Sequence, residues 1–457
     1  MSESDVDLAY YGDDLTGSTD AMEALALGGV RTALFLDPPS PEELTGRFAD
    51  LEAVGVAGRS RSMSPAEMDE RLPAVFERFA ELDPSLVQYK VCSTFDSAPE
   101  TGSIGHAIDV AQPVFESPFV PVVVGVPALE RYVVFGNLFA TVGDRTYRLD
   151  RHPTMSEHPT TPMTESDLGR HLRDQTDRDI DRFDLLALES GDADAEFAGL
   201  LETDPEIVVF DAVDGSHLQT VGRLVWERAA ESTEGPVFAV GSSGLDYALT
   251  AHWSETDGTS RRDVPSGPDP VDQLLVMSGS ASPETANQIS NAIADERFDG
   301  IRLDTSALVR PDGTESERER VIREAMDALE RGQSVVIYSA RGPDDPAIEE
   351  TRTAAPDDVD VGERIGTTQG EILEAVLRES NVDRVCVAGG DTSGYVTPAL
   401  DVYALEYHRP LAPGSPLCVA SSDDERFDGI QVCLKGGQTG GEHFFETVRR
   451  GGSDAWP

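Results

Sequence analysis

Short apolar runs alternate with amphipathic stretches along nearly the whole chain, and this alternation restricts the fold more than any other feature. Residues 6–11 read as a strand, 18–27 as a helix and 31–36 as a strand. Further strand patterns fall at 54–58, 87–91, 119–126, 207–212 and 237–240, with helical patterns at 65–82 and 218–230. Apolar runs bounded by turn residues suit strands buried on both faces, as in parallel sheet, and the intervening helical periodicity supplies the crossovers. Between residues 255 and 272 the periodicity stops in a stretch rich in Gly, Pro, Ser and Asp, which reads as a linker. Strand and helix patterns then resume at 273–277, 283–294, 300–304, 316–331, 334–338, 368–379 and 384–388. The fold class predicted is α/β: two domains with mostly parallel sheets, covering residues 1–262 and 263–457, and a cleft between them. In such folds ligands bind beyond the carboxyl ends of the strands.

Hydrophobic residues make up 39% of the 457 positions, enough for a packed core. The formal charge of −49 argues against nucleic acid or an anionic membrane as partner, because both would repel the chain. Only Lys90 and Lys435 are lysines, and the other 34 of 36 basic residues are arginine. Strong acidity with almost no lysine resembles adaptation to a halophilic, high-salt cytoplasm, where a Debye length of about 3 Å screens surface repulsion. Most carboxylates then serve solvation. The two lysines stand out as positions where a compact ammonium is needed. No cysteine pair has a metal-ligand spacing, and Cys386 and Cys433 lie in apolar strand-like runs. No secretory signal or long apolar run is evident, so a cytoplasmic location is expected.

In the first half, Gly12-Asp13-Asp14-Leu15-Thr16-Gly17-Ser18 closes a strand and opens a helix. Carboxylates there can accept hydrogen bonds from substrate hydroxyls, hold Mg²⁺ or act as a base. They can also simply cap the helix, although one residue suffices for a cap. Arg61, in Gly58-Arg59-Ser60-Arg61-Ser62, follows the next strand and either grips a carboxylate or stays solvated. Lys90, Ser93 and Thr94 follow a third strand, able to offer charge and hydroxyls to an acid or polyol. The segment 141–162 lacks periodicity and reads as a long ordered loop. Its His152 and His158 are candidate ligands or, more plainly, loop hydrogen-bonders.

In the second half, Ser278-Gly279-Ser280-Ala281-Ser282 and Gly389-Gly390-Asp391-Thr392-Ser393-Gly394 both lie between a strand and a helix, where free amides favour a phosphate. Lys435-Gly436-Gly437-Gln438-Thr439-Gly440-Gly441 adds a third glycine-rich loop carrying a cation, a set that suits a triphosphate. There is no Walker P-loop, no nucleophile elbow, and no dinucleotide fingerprint after the first strand.

Together these motifs resemble the four-carbon acid sugar kinase family over nearly the whole length. The resemblance rests on Asp13-Asp14-Leu15-Thr16-Gly17-Ser18-Thr19-Asp20, on Ser278-Gly279-Ser280 with Thr285 and Gln288, on Gly389–Gly394, on Pro413-Gly414-Ser415-Pro416 and on Leu434-Lys435-Gly436-Gly437. It implies phosphoryl transfer from ATP, with Mg²⁺, to a hydroxyl of a small sugar acid. On that reading Ser278, Gly389, Gly390, Asp391, Thr392, Lys435 and Gly437 hold the nucleotide. Asp13 and Asp14 orient hydroxyls, with one of them or Asp391 as base, and Arg61 and Lys90 hold the carboxylate beside Ser93 and Thr94. No metal ligand is assigned, and a homodimer stays open. One motif departs from the family pattern: a usual aspartate is Cys92 and a usual arginine is Asp96. That change supports one other reading, a non-catalytic binding or regulatory protein on a kinase scaffold; an NAD-dependent dehydrogenase is a separate alternative.

Overall fold

The computed structural model describes residues 6–157, 161–233, 235–256, 269–310, 313–356 and 358–452. The chain divides into two compact units, Met1–Asp263 and Val264–Pro457. Most of the sequence-predicted linker, and His158, lie outside the described residues.

The first unit contains β1 (Leu8–Gly12), β2 (Thr32–Phe35), β3 (Ala53–Ala57), β4 (Leu86–Lys90), β5 (Val120–Val123), β6 (Arg131–Val134), β7 (Asn137–Val142), β8 (Arg145–Arg148), β9 (Ile180–Phe183), β10 (Ile207–Phe210) and β11 (Val237–Gly241). Its main sheet runs β2-β3-β1-β4-β11-β5-β10-β9. Every pairing within it is parallel. β1, β4 and β11 are buried at every position, as strands covered by helices on both faces must be. The helix Pro65–Leu82 shows how the covering layer forms. Ser64 and Glu67 make a capping box, Pro65 presets the first turn, and Asp83 ends the helix in a left-handed conformation. Met68, Leu72, Val75, Phe76, Phe79 and Leu82 recur at helical spacing and are buried, each contributing about 1.5 to 3 kcal/mol. Phe76 sets its edge against Phe115 and Phe238, with centroids 5.7 and 5.5 Å away.

The second unit contains β12 (Leu275–Ser278), β13 (Phe298–Arg302), β14 (Ser334–Tyr338), β15 (Arg384–Ala388), β16 (Val402–Ala412), β17 (Ser415–Ser422) and β18 (Gln431–Lys435). Its order is β13-β14-β12-β15-β18-β17-β16. β13, β14, β12, β15 and β18 are parallel, and the hairpin β16–β17 adds antiparallel strands beside β18. In both units the first strand is flanked by the third and fourth, so the chain reverses its winding direction there. Crevices at such switch points are where open α/β sheets take ligands.

The fold is the mixed, mostly parallel α/β class expected, with two corrections of detail. The segment 141–162 is not simply a loop. It holds the end of β7, all of β8 and two short 3₁₀ turns, and β6-β7-β8 form a separate antiparallel sheet. Its strands are short and half-exposed, so no apolar run marks them. The other correction is the helix Val361–Glu379, which begins seven residues before the predicted start, capped by Asp360.

Candidate functional site

Hydrogen-bond register places five strand ends of the first unit in one row. Ala57 pairs with Gly12, Gly12 with Lys90, Lys90 with Gly241, and Gly241 with Val123. All five strands are parallel, so the loops leaving them gather along one edge. Asp13 and Asp14 leave β1 there and take different tasks. Asp14 caps the helix Leu15–Leu27, accepting from the Gly17 amide at 2.6 Å. Asp13 is 3% exposed and caps nothing. Its carboxylate is held by Arg61, with Nε to Oδ2 at 3.1 Å and Nη2 to Oδ1 at 2.7 Å, while Arg61 Nη1 reaches Asp14 Oδ2 at 2.8 Å. Burial pushes Asp13 up to about 6, helped by Asp14 and opposed by the cations of Arg61 and Lys90.

Lys90 is 1% exposed. Its ammonium lies 3.2 Å from Asp20 and 3.2 Å from the Val91 carbonyl. Burial alone would lower its pKa, but Asp20, Asp246 and Asp13 outweigh burial and raise it. Gly17 permits this crowding: a Cβ there would collide with the Asp14 carboxylate and stand 3.6 Å from the Lys90 ammonium. Cys92, Ser93 and Thr94 form a turn closed on itself. The Cys92 thiol meets the Thr94 hydroxyl at 2.9 Å, and that hydroxyl donates to Asp96. Burial and the Asp96 charge push Cys92 up to about 11, so it stays a neutral thiol. Ser93 is half-buried in the same turn. His152 Nδ1 accepts from the Thr154 and Met155 amides at 3.2 Å each, the plainer of its two expected roles.

The sequence reading missed Gln88 and Asp246. Gln88 Nε2 lies 3.4 Å from Asp246 Oδ2, and Gln88 Oε1 and Asp246 Oδ1 are buried without partners among the described residues. A glutamine inside the apolar run of β4 was the available signal. Burial drives Asp246 up to about 7, with Asp20 adding and Lys90 opposing. The folded value exceeds the ordinary 3.8, so the penalty for ionising Asp246 is absent below 3.8 and grows until about 7. Asp246→Asn should therefore stabilise the protein more at about pH 8 than at about pH 5. Thermal unfolding at the two values should differ by about 2 to 3 kcal/mol.

In the second unit Ser278, Ala388 and Lys435 end adjacent strands in register. The three glycine-rich loops that follow are tied to one another. The Gly279 and Ser280 amides donate to the Ala388 carbonyl, and the Gly389 amide donates to the Lys435 carbonyl. Thr285 Oγ1 donates to the Gly437 carbonyl at 2.8 Å, and Ser282 Oγ donates to the same oxygen. Gln288 Nε2 spans the carbonyls of Thr439, Gly440 and Gly441 at 3.0, 3.1 and 3.2 Å. Gly389 has φ +124°, and a Cβ there would press on Thr392 Oγ1 at 2.9 Å. The helix Gly390–Ala399 begins without a side-chain cap, leaving its first amides to whatever occupies the loop. Asp391 is exposed in that first turn and Thr392 is buried. The Ser278 hydroxyl is buried with no partner among the described residues. Lys435 is fully buried, with its ammonium 3.0 Å from Thr285 Oγ1 and 5.9 Å from the Phe444 ring centroid. Burial lowers its pKa, and no carboxylate pairs with it among the described residues. This set of free amides, an orphaned hydroxyl and an uncompensated ammonium fits a polyphosphate. Among the described residues, no group of three or more His, Cys, Asp or Glu side chains could hold a metal ion, and no helix is long and apolar enough to cross a membrane.

Comparison with known proteins finds relatives over nearly the whole chain. A family model described as a sugar-binding N-terminal domain matches residues 8–249, and one described as a nucleotide-binding C-terminal domain matches residues 275–445. The 3-oxo-isoapionate kinase of Paraburkholderia graminis is 47% identical over 454 residues, covering 97% of this chain and 94% of the relative. The 3-oxo-tetronate kinase of Pseudomonas fluorescens is 30% identical over 441 residues, covering 96% and 95%. A solved structure from Salmonella typhimurium LT2 shares the fold at 24% identity with a TM-score of 0.77, covering 97% of this chain and 99% of that one. With both halves matched in order and full-length relatives at this identity, the chain belongs to the four-carbon acid sugar kinase family.

Proposed function

We propose that the protein transfers the γ-phosphate of ATP to a hydroxyl of a 3-oxo sugar acid, the class named for its 47%-identical relative. The observation that carries this reading is Asp13: a buried carboxylate at a switch point, held by Arg61, with a pKa near 6. Phosphoryl transfer asks chiefly for a positioned acceptor and a neutralised phosphate. Arg61 uses two of the carboxylate's lone pairs, which leaves Asp13 able to accept the substrate's hydroxyl proton. Asp14 orients a second hydroxyl, and Ser93 offers a hydroxyl from the third strand end, while Thr94 braces that turn through Asp96. Arg61 holds Asp13 and Asp14 in position, and Lys90 holds Asp20.

Ser278, Gly389, Gly390, Thr392 and Gly437 supply the nucleotide's phosphate contacts, and Lys435 supplies the cation. Mg²⁺ brought by the nucleotide would neutralise phosphate charge and would call for one or two carboxylates beside the phosphates. Asp391, exposed in the first turn of its helix, is the carboxylate available for that contact and a rival base. A coupled ADP-release assay in molar KCl, run with 3-oxo-isoapionate, 3-oxo-tetronate and their 3-hydroxy counterparts, tests the reading. Turnover should favour a 3-oxo acid by about 10- to 100-fold in kcat/KM. Binding of ATP with no turnover of any acid would sink it and favour a non-catalytic scaffold.

A further inference from the structure

The charges around Asp13 do not suit a bound carboxylate. Arg61 faces both Asp13 and Asp14 and also feels the charge of Asp96, while Lys90 faces Asp20 with Asp246 behind it. Five aspartates surround two cations, so a substrate carboxylate placed there would be repelled. An acid needs a cation elsewhere on the same edge.

Arg131 meets that need. It opens β6 and is locked to the loop after β5 by paired bonds with Val126, at 2.9 and 3.0 Å. The end of β5 belongs to the same row of strand ends as Gly12 and Lys90. Arg131 is also close enough to Cys92 to interact with it electrostatically. Its Nη1 donates to the carbonyls of Leu129, Glu130 and Thr141 at 3.0, 3.3 and 3.4 Å. Its Nε is buried with no partner, and no carboxylate pairs with it among the described residues, Glu130 being near but exposed and unpaired to it. A half-buried guanidinium with an unused donor and no counter-ion, beside a neutral thiol, is a carboxylate receptor in waiting.

We propose that Arg131 binds the carboxylate of the acid substrate and is the residue that selects acids over neutral analogues. The inference rests on the kinase reading for its substrate but can fail separately from it. Arg131→Gln and Arg131→Lys are to be compared with the wild-type protein on the preferred 3-oxo acid and on its uncharged amide. Loss of a charged hydrogen bond should raise KM for the acid by about 10- to 100-fold in Arg131→Gln, with kcat little changed. The lysine variant should fall between, and KM for ATP and kcat/KM for the amide should hold. Calorimetric titration of the acid without ATP should show the same loss of affinity. Equal damage to acid and amide, or a fall in melting temperature that tracks activity, would reduce Arg131 to a structural strut and overturn the proposal. A wild-type protein that binds the acid through Arg131 yet never turns it over would keep this inference and remove the kinase reading. A wild-type protein that binds no acid would remove both.

Discussion

Asp13→Asn should lower kcat for the acid about 10²- to 10⁴-fold while leaving ATP binding intact, the range expected when a positioned general base is lost. Asparagine keeps the shape and one acceptor oxygen, so a residue that merely oriented a hydroxyl would survive the change with most of its activity. A base would not. The pH profile adds a second criterion. Asp13 is ionised only above about 6, so kcat/KM for the acid should fall below that value, and the limb should vanish in the asparagine variant. Asp246, titrating near 7 behind Lys90, is the neighbour most able to imitate that limb. Asp246→Asn should therefore keep a limb near 6 if Asp13 is its source. Stability separates mechanism from damage: a buried carboxylate raised to about 6 opposes folding above that pH, so asparagine should not lower the melting temperature at neutral pH. Asp13→Asn retaining more than about a tenth of wild-type kcat would move the base to Asp14 or Asp391.

The sequence was most legible where local signals and burial agree. The helix Pro65–Leu82 and the strands β14 and β15 match their predicted bounds, because a capping box, a turn or an abrupt change of polarity marks each end. β6, β7 and β8 escaped because an antiparallel sheet with one wet face needs no continuous apolar run. The site divides in the same way. Asp13-Asp14 and the three glycine-rich loops could be read from residue type and position, since a strand end followed by small or acidic residues is itself the signal. Partnership could not. Nothing local says that Asp14 is the cap while Asp13 meets Arg61, 48 positions away, or that Lys90 pairs with Asp20 in front of Asp246. Arg131 is the extreme case: its interest lies in having no paired carboxylate among the described residues, and that is a property of the packed chain.

Lys435→Met should reduce kcat/KM for ATP about 10²- to 10³-fold, the scale of removing one preorganised charge donor worth about 2.7 to 4 kcal/mol. KM for the acid should move little, because Lys435 ends β18 in the second unit. The ammonium is fully buried, touches the Thr285 hydroxyl, and has no carboxylate partner among the described residues. Such a group opposes folding: burial holds its pKa below the ordinary value, so the charged form is disfavoured in the folded protein at neutral pH. Methionine has similar length and no charge, so the variant should melt at the same temperature as the wild type or higher when no nucleotide is present. With ATP and Mg²⁺ the order should reverse. The wild type gains stability in proportion to nucleotide bound, and the variant gains little. The opposed signs make the test severe. A lysine kept for packing would be missed in both melts. One kept for phosphate is a liability until the nucleotide arrives, and an equal ATP-induced shift in both proteins would exclude that role.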